Sequence, residues 1–176
     1  HWNTIKRPDR YSFIDLSQNN QMRGRDHWDN TRPAYMMIAD DPRPITITKV
    51  YGSDVHAAKY PKGVVPNQYD GMASFWKGLL GGFATSRFHR PDHGVGLSEP
   101  SIRMMKAARE WQKRFDIFRA QPDNLFELVE WAETNESYVS FIPGEAWSVF
   151  TPKGGRTALL IEEQAVEVAW ANLDTG

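Results

Sequence analysis

The run Ile45-Thr-Ile-Thr-Lys-Val-Tyr51 decides the fold. Five of its seven residues are β-branched, the type that packs well on a pleated surface, so it predicts a strand. In front of it, Asp40-Asp-Pro-Arg-Pro44 breaks the chain. Two further runs repeat the theme. Tyr11-Ser-Phe-Ile-Asp-Leu16 alternates apolar and polar residues as a strand does, and Phe83-Ala-Thr-Ser-Arg-Phe88 reads as a third strand. Helical patterns separate them. A helix is predicted from Asp26 to Ala39, with Trp28, Tyr35 and Ile38 on its buried face and Pro33 inside it. Another is predicted from Asp70 to Leu80, where Met72, Phe75, Trp76, Leu79 and Leu80 follow helical spacing and Gly81-Gly82 supplies the C-cap. A third begins at the N-cap Ser98 and runs to Arg119, with Ile102, Met105, Ala108, Trp111, Phe115 and Phe118 as its apolar stripe. Strands starting near 11, 45 and 83 with helices between them form the βαβ rhythm of a parallel sheet. No glycine-rich phosphate loop follows any strand, which favours a (β/α) barrel over an open nucleotide-binding sheet. Residues 1–122 are therefore read as three strand–helix units of a partial (β/α) barrel.

Beyond Pro122 the chain changes character. Short strand patterns at Ser137–Ile142, Trp147–Thr151, Arg156–Ile161 and Ala165–Ala171 are separated by Pro143-Gly144, Lys153-Gly154-Gly155 and Glu162-Glu163, so residues 123–176 are predicted to form a small antiparallel β domain. Charge changes at the same place. Residues 123–176 carry ten acidic residues against Lys153 and Arg156, a net of −8, whereas residues 1–122 carry 19 Lys and Arg against 12 Asp and Glu, a net of +7. The basic residues form no concentrated run and are read as solvated rather than as a nucleic-acid surface. The chain starts at His1 rather than Met, and it closes on Asp174-Thr-Gly176, itself a turn signal. Both ends are expected to continue in a longer protein, with the β domain truncated.

Several kinds of chemistry have no support. Cysteine is absent, so disulfides and thiol catalysis are excluded, although the compartment is left open. No run has the apolar length of a membrane helix, and no Gly-x-Ser-x-Gly elbow is present. His89 and His93 with Asp92 between them lack a further ligand, so no metal is expected, and no cofactor either. His27 and His56 are read as surface residues. Trp28, Trp76 and Trp111 are read as helix packing, and Trp147 and Trp170 as buried in the β domain rather than stacked on sugars.

In a barrel, ligands meet the carboxyl ends of the strands. Those ends carry Asn19 and Asn20, then Lys49 and Tyr51, then Arg87, His89 and Arg90. Lys49 and Arg87 interrupt strands that otherwise read as core. Amides, a phenol, an imidazole and cations converging on one mouth suit the hydroxyls and carboxylates of a carbohydrate, an acidic sugar in particular.

Three runs also carry a resemblance: Asp41-Pro-Arg-Pro44 leading into Ile45–Tyr51, then Phe75-Trp-Lys-Gly-Leu-Leu-Gly-Gly-Phe-Ala84, then Arg87-Phe-His-Arg-Pro91. Together they resemble the last barrel strands of bacterial glycoside hydrolases that pair a (β/α)8 barrel with a C-terminal β domain labelled collagen-binding. Trp147-Ser-Val-Phe-Thr-Pro-Lys-Gly-Gly155 through Trp170 to Gly176 is similar to that β domain. The resemblance implies a secreted or periplasmic parent acting on carbohydrate; three strands of an eight-stranded barrel would leave raw sheet edges, so this segment is expected to be inactive alone and to associate with further copies or with the remainder of the parent. It also implies a nucleophilic carboxylate at the end of the seventh strand. Here that end reads Lys49-Val-Tyr-Gly52, and the nearest carboxylate is Asp54: either Asp54 is the catalytic residue, or the family uses different chemistry, or the parent is not a hydrolase. The alternative is a non-catalytic carbohydrate- or surface-binding module, for which a planar row of exposed aromatic residues would speak.

Overall fold

The computed structural model describes residues 2–16, 23–51, 68–88, 97–132, 134–162 and 166–173. Strand β2 (Ile45–Val50) lies between β1 (Ile14–Asp15) and β3 (Thr85–Phe88), and both neighbours run parallel to it. It holds the centre because Ile45, Ile47 and Val50 are all buried. Parallel neighbours need long crossovers, and α2 (Asp26–Met37) and α3 (Gln68–Leu80) fall in them. After β3 come α4 (Glu99–Trp111) and an antiparallel sheet of β4 (Gln121–Pro122), β5 (Tyr138–Ile142) and β6 (Ala146–Phe150). A single turn of helix, α1 (Trp2–Ile5), precedes them all. The fold is thus mixed α/β, with one three-stranded parallel sheet and one three-stranded antiparallel sheet. The parallel sheet is open, and the described residues form no closed barrel.

Helix α3 is the layer between the sheets. On one side Phe75 stacks on Phe88 of β3 at 4.7 Å between ring centroids, and Gly78 sits against Ile47 and Ser86. On the other side Trp76 meets Trp111 of α4 at 5.6 Å and Phe150 of β6 at 6.4 Å. Trp28 of α2 joins the same core, 5.0 Å from Tyr138 of β5. Gly78 is a close-approach position, because a Cβ there would stand 2.9 Å from Ser86 Oγ and 3.2 Å from Ile47 Cγ2. Gly78→Val is therefore expected to lower stability by about 1–3 kcal/mol through overpacking, as measured by urea unfolding. An unchanged midpoint would mean that the helix does not rest on the sheet there. Gly82 ends α3 with φ of +77°, the left-handed C-cap that the sequence predicts.

Four expectations need correction. The strand over 11–16 shrinks to Ile14–Asp15, since Arg43 donates to the carbonyls of Thr4, Ile5 and Tyr11 and ties the preceding segment into a turn. The third long helix ends at Trp111 rather than Arg119. Phe115 folds back to stack on Trp111 at 5.2 Å, and the Asp116 carboxylate accepts from the Phe118 amide, a local bond that competes with the helix. The buried face of α4 is Ser101, Met104, Ala107 and Ala108, one step round from the predicted stripe, which leaves Met105 exposed and Phe118 92% exposed. Finally, the hairpin β5–β6 forms around Pro143-Gly144, but among the described residues the strands predicted over 156–161 and 165–171 do not appear. Leu159 makes one bridge to Val129, while Val166, Val168 and Trp170 lie exposed. Alternating β-branched residues supply only a tendency, and a strand forms only where a partner edge is free to pair.

Candidate functional site

Of the residues predicted at the strand ends, Asn19, Asn20, Asp54, His89 and Arg90 lie outside the described residues, as do the pair His89 and His93 and also His56. Lys49, Tyr51 and Arg87 are described. Ser86 and Phe88 face α3, so alternation turns Arg87 to the opposite face of the sheet. Strand β2 has one more residue between Ile47 and Val50 than β3 has between Ser86 and Phe88, which is a bulge. With Ile47 and Val50 both buried toward the helix layer, Thr48 and Lys49 fall together on the face that Arg87 occupies. Both cations are exposed and neither is ion-paired to another described residue. Tyr51 is half-buried just past the end of β2.

Asp15, which the sequence reading passed over, belongs to the same face. Thr48 Oγ1 donates to it at 2.9 Å, and Thr46 Oγ1 lies 3.4 Å from its other oxygen. Among the described residues no helix packs on this side of the parallel sheet, which carries Asp15, Thr46, Thr48, Lys49, Thr85 and Arg87. Parallel sheets are usually apolar on both faces, so this polarity calls for a polar occupant. The signal for Asp15 was present in the alternation of Phe13-Ile-Asp-Leu16, which puts it opposite Ile14.

A second polar group lies on the far side of α3. Lys77 is 1% exposed, and its Nζ donates to the Gly24 carbonyl at 2.9 Å and lies 4.0 Å from Glu136 Oε1. Glu136 accepts from the Tyr138 hydroxyl at 2.7 Å and stands 3.2 Å from Lys153 Nζ. Arg23 forks onto Asp70 at 3.1 and 3.0 Å. Arg23, Gly24, Asp70, Lys77, Glu136 and Lys153 line a cavity of about 120 Å³. Burial pushes the Lys77 ammonium down to about 8, against the opposing pull of Glu136, Asp70 and Asp26. Burial, with the hydrogen bond to Glu136, holds the Tyr138 phenol well above its ordinary value. His27 is 0% exposed, which corrects its reading as a surface residue, and burial followed by the nearby Lys77 charge pushes it down to about 3. Its ring meets Phe83 edge-on at 6.0 Å.

The tryptophans divide. Trp28 and Trp76 are buried, and Trp111 is half-buried and donates from its indole to Ser148 Oγ at 3.1 Å. Trp147 is half-buried, whereas Trp170 is 93% exposed, contrary to its expected burial. Among the described residues no cluster of three potential metal ligands forms, and no helix is long and apolar enough to cross a membrane. No family model, curated protein or solved structure matches the chain.

Proposed function

We propose that the chain is part of a glycoside hydrolase-like protein that binds carbohydrate, an acidic sugar in particular, on the open face of the parallel sheet. In this reading the three parallel strands are a section of a (β/α) barrel, their polar face is its lumen, and the rest of the parent or further copies of the chain complete it. The observation that carries the reading is the placement of Lys49 and Arg87 by the bulge, side by side at the carboxyl ends of adjacent strands. Two exposed cations on one face suit a carboxylate, and Thr46, Thr48 and Asp15 beside them suit hydroxyls. Asp15 is the carboxylate this face offers for acid–base work, and Asp54 is the second candidate. The alternative, a non-catalytic binding module, draws on exposed Trp170 as a stacking surface.

Calorimetric titration tests the reading. A hydrogen bond to a charged group contributes about 1.5–3 kcal/mol, so Lys49→Ala and Arg87→Ala are each expected to weaken binding of oligogalacturonate by about tenfold or more. Neutral galactooligosaccharide binding is expected to change much less. Equal losses for both ligands would remove the case for an acidic substrate, and no binding of either would remove the site.

A further inference from the structure

The cavity beneath α3 has no part in that reading. Among the described residues Arg23, Lys77 and Lys153 line it with the carboxylates of Asp70 and Glu136, and the Asp26 carboxylate acts on Lys77 from α2. Asp70 has the Arg23 guanidinium, and Glu136 has the Lys153 ammonium and the Tyr138 hydroxyl. Arg23 and Lys153 are half-exposed and keep their hydration, but the Lys77 side chain is 2% exposed. Lys77, which shares Glu136 with Lys153, is therefore the cation that has been taken out of water. Burying such a charge is costly, so the group holds its proton less tightly than an exposed lysine does.

We infer that Lys77 is a carbonyl-reactive amine, and that the cavity it lines accepts a small aldehyde which Lys77 Nζ converts to an imine. A space of about 120 Å³ equals roughly four water molecules, enough for an aldehyde of two to four carbons and too small for a sugar ring with its neighbours. At neutral pH a lysine at about 8 is roughly one-tenth neutral, whereas an ordinary lysine is so only about once in a thousand or less. The neutral nitrogen attacks the carbonyl carbon. The C–N bond forms as the carbonyl π pair moves to oxygen, which takes a proton. The carbinolamine then loses water as the nitrogen lone pair closes the C=N bond. Nothing is oxidised or reduced, and the sum is amine plus aldehyde giving imine plus water. Glu136, 4.0 Å from Nζ, is placed to balance the iminium charge and to relay the protons that leave nitrogen and reach oxygen. The groups that face Lys77 from the surrounding elements are Asp26 and His27 of α2, Asp70 of α3 itself, and Glu136 and Lys153 flanking the hairpin.

The test is reductive trapping on the intact chain. Glycolaldehyde and sodium cyanoborohydride are added at pH 7, and labelling of each of the eight lysines is followed by peptide mass mapping. Lys77 is expected to label at least tenfold faster than any other lysine, and benzaldehyde is expected to lose that preference because it does not fit the cavity. Circular dichroism before and after trapping verifies that the chain stays folded. Labelling spread evenly over the exposed lysines, or a folded chain in which Lys77 stays unlabelled, would overturn the inference. A preference for Lys77 that persists with benzaldehyde would overturn the role of the cavity.

Discussion

Glu136→Leu is expected to destabilise the protein by about 3–5 kcal/mol, the range for removing one partner of a buried charge pair. The substitution takes the counter-charge from Lys77 and the acceptor from the fully buried Tyr138 hydroxyl, while Lys153 is exposed and turns to water. The stranded ammonium and hydroxyl, rather than the lost attraction, make up most of the cost. Adding Lys77→Met to Glu136→Leu is therefore expected to recover much of the loss, since apolar replacement of a whole buried pair is often neutral. Urea unfolding of the two variants decides the matter. A single-variant cost under about 1 kcal/mol would be the behaviour of a surface pair and would contradict the buried arrangement. Wild-type stability is also expected to rise with pH from about 8 towards 9.5. The folded Lys77 releases its proton near 8 and the unfolded one near 10.5, so in that window the unfolded chain binds more protons.

The second large effect comes from His27. Its folded value of about 3 lies below the ordinary 6.5, so between those pH values the unfolded chain takes up a proton that the folded chain refuses. Stability is therefore full above about 6.5 and falls as the pH drops towards about 3, by about 4–5 kcal/mol in all at 1.36 kcal/mol per unit. His27→Leu, similar in bulk and unable to titrate, is expected to flatten that slope. Thermal unfolding of both proteins at pH 7, 5 and 4 provides the comparison. Parallel losses in the two would assign the acid sensitivity to other groups.

How much of this was legible in the sequence depended on whether the signal was local. The βαβ order was legible because Ile45–Val50 is dense in β-branched residues and because α3 repeats its apolar residues at helical spacing. Ser98 and Gly82 marked helix ends through their own cap chemistry. Lys49 and Arg87 stood out as cations inside apolar runs, but the bulge that brings them to one face has no signature in the letters around them. Lys77 and His27 could not be read at all. Lys77 is buried against Glu136 and Tyr138, and His27 against Phe83, partners that lie more than fifty residues away in the chain. The hint was that residues 71–80 are small or apolar almost all round, which leaves a lone lysine no route to solvent. The missing strands at 156–161 and 165–171 show the converse, a local pattern with no partner to complete it.

The position of α3 between two sheets also sets a timetable for the growing chain. The parallel side of its packing is available once Phe88 has been made, but Trp76 and Lys77 wait for Tyr138 and Phe150. Seventy residues separate Leu80 from Phe150. At about 5–20 residues per second, translation leaves that flank of the helix uncovered for roughly 4–14 s. During this interval the nascent polypeptide presents Trp76 beside a lysine that can still carry its full charge. The ammonium keeps the unfinished surface hydrated until the hairpin closes over it, and only then does the same group become the one that burial disfavours.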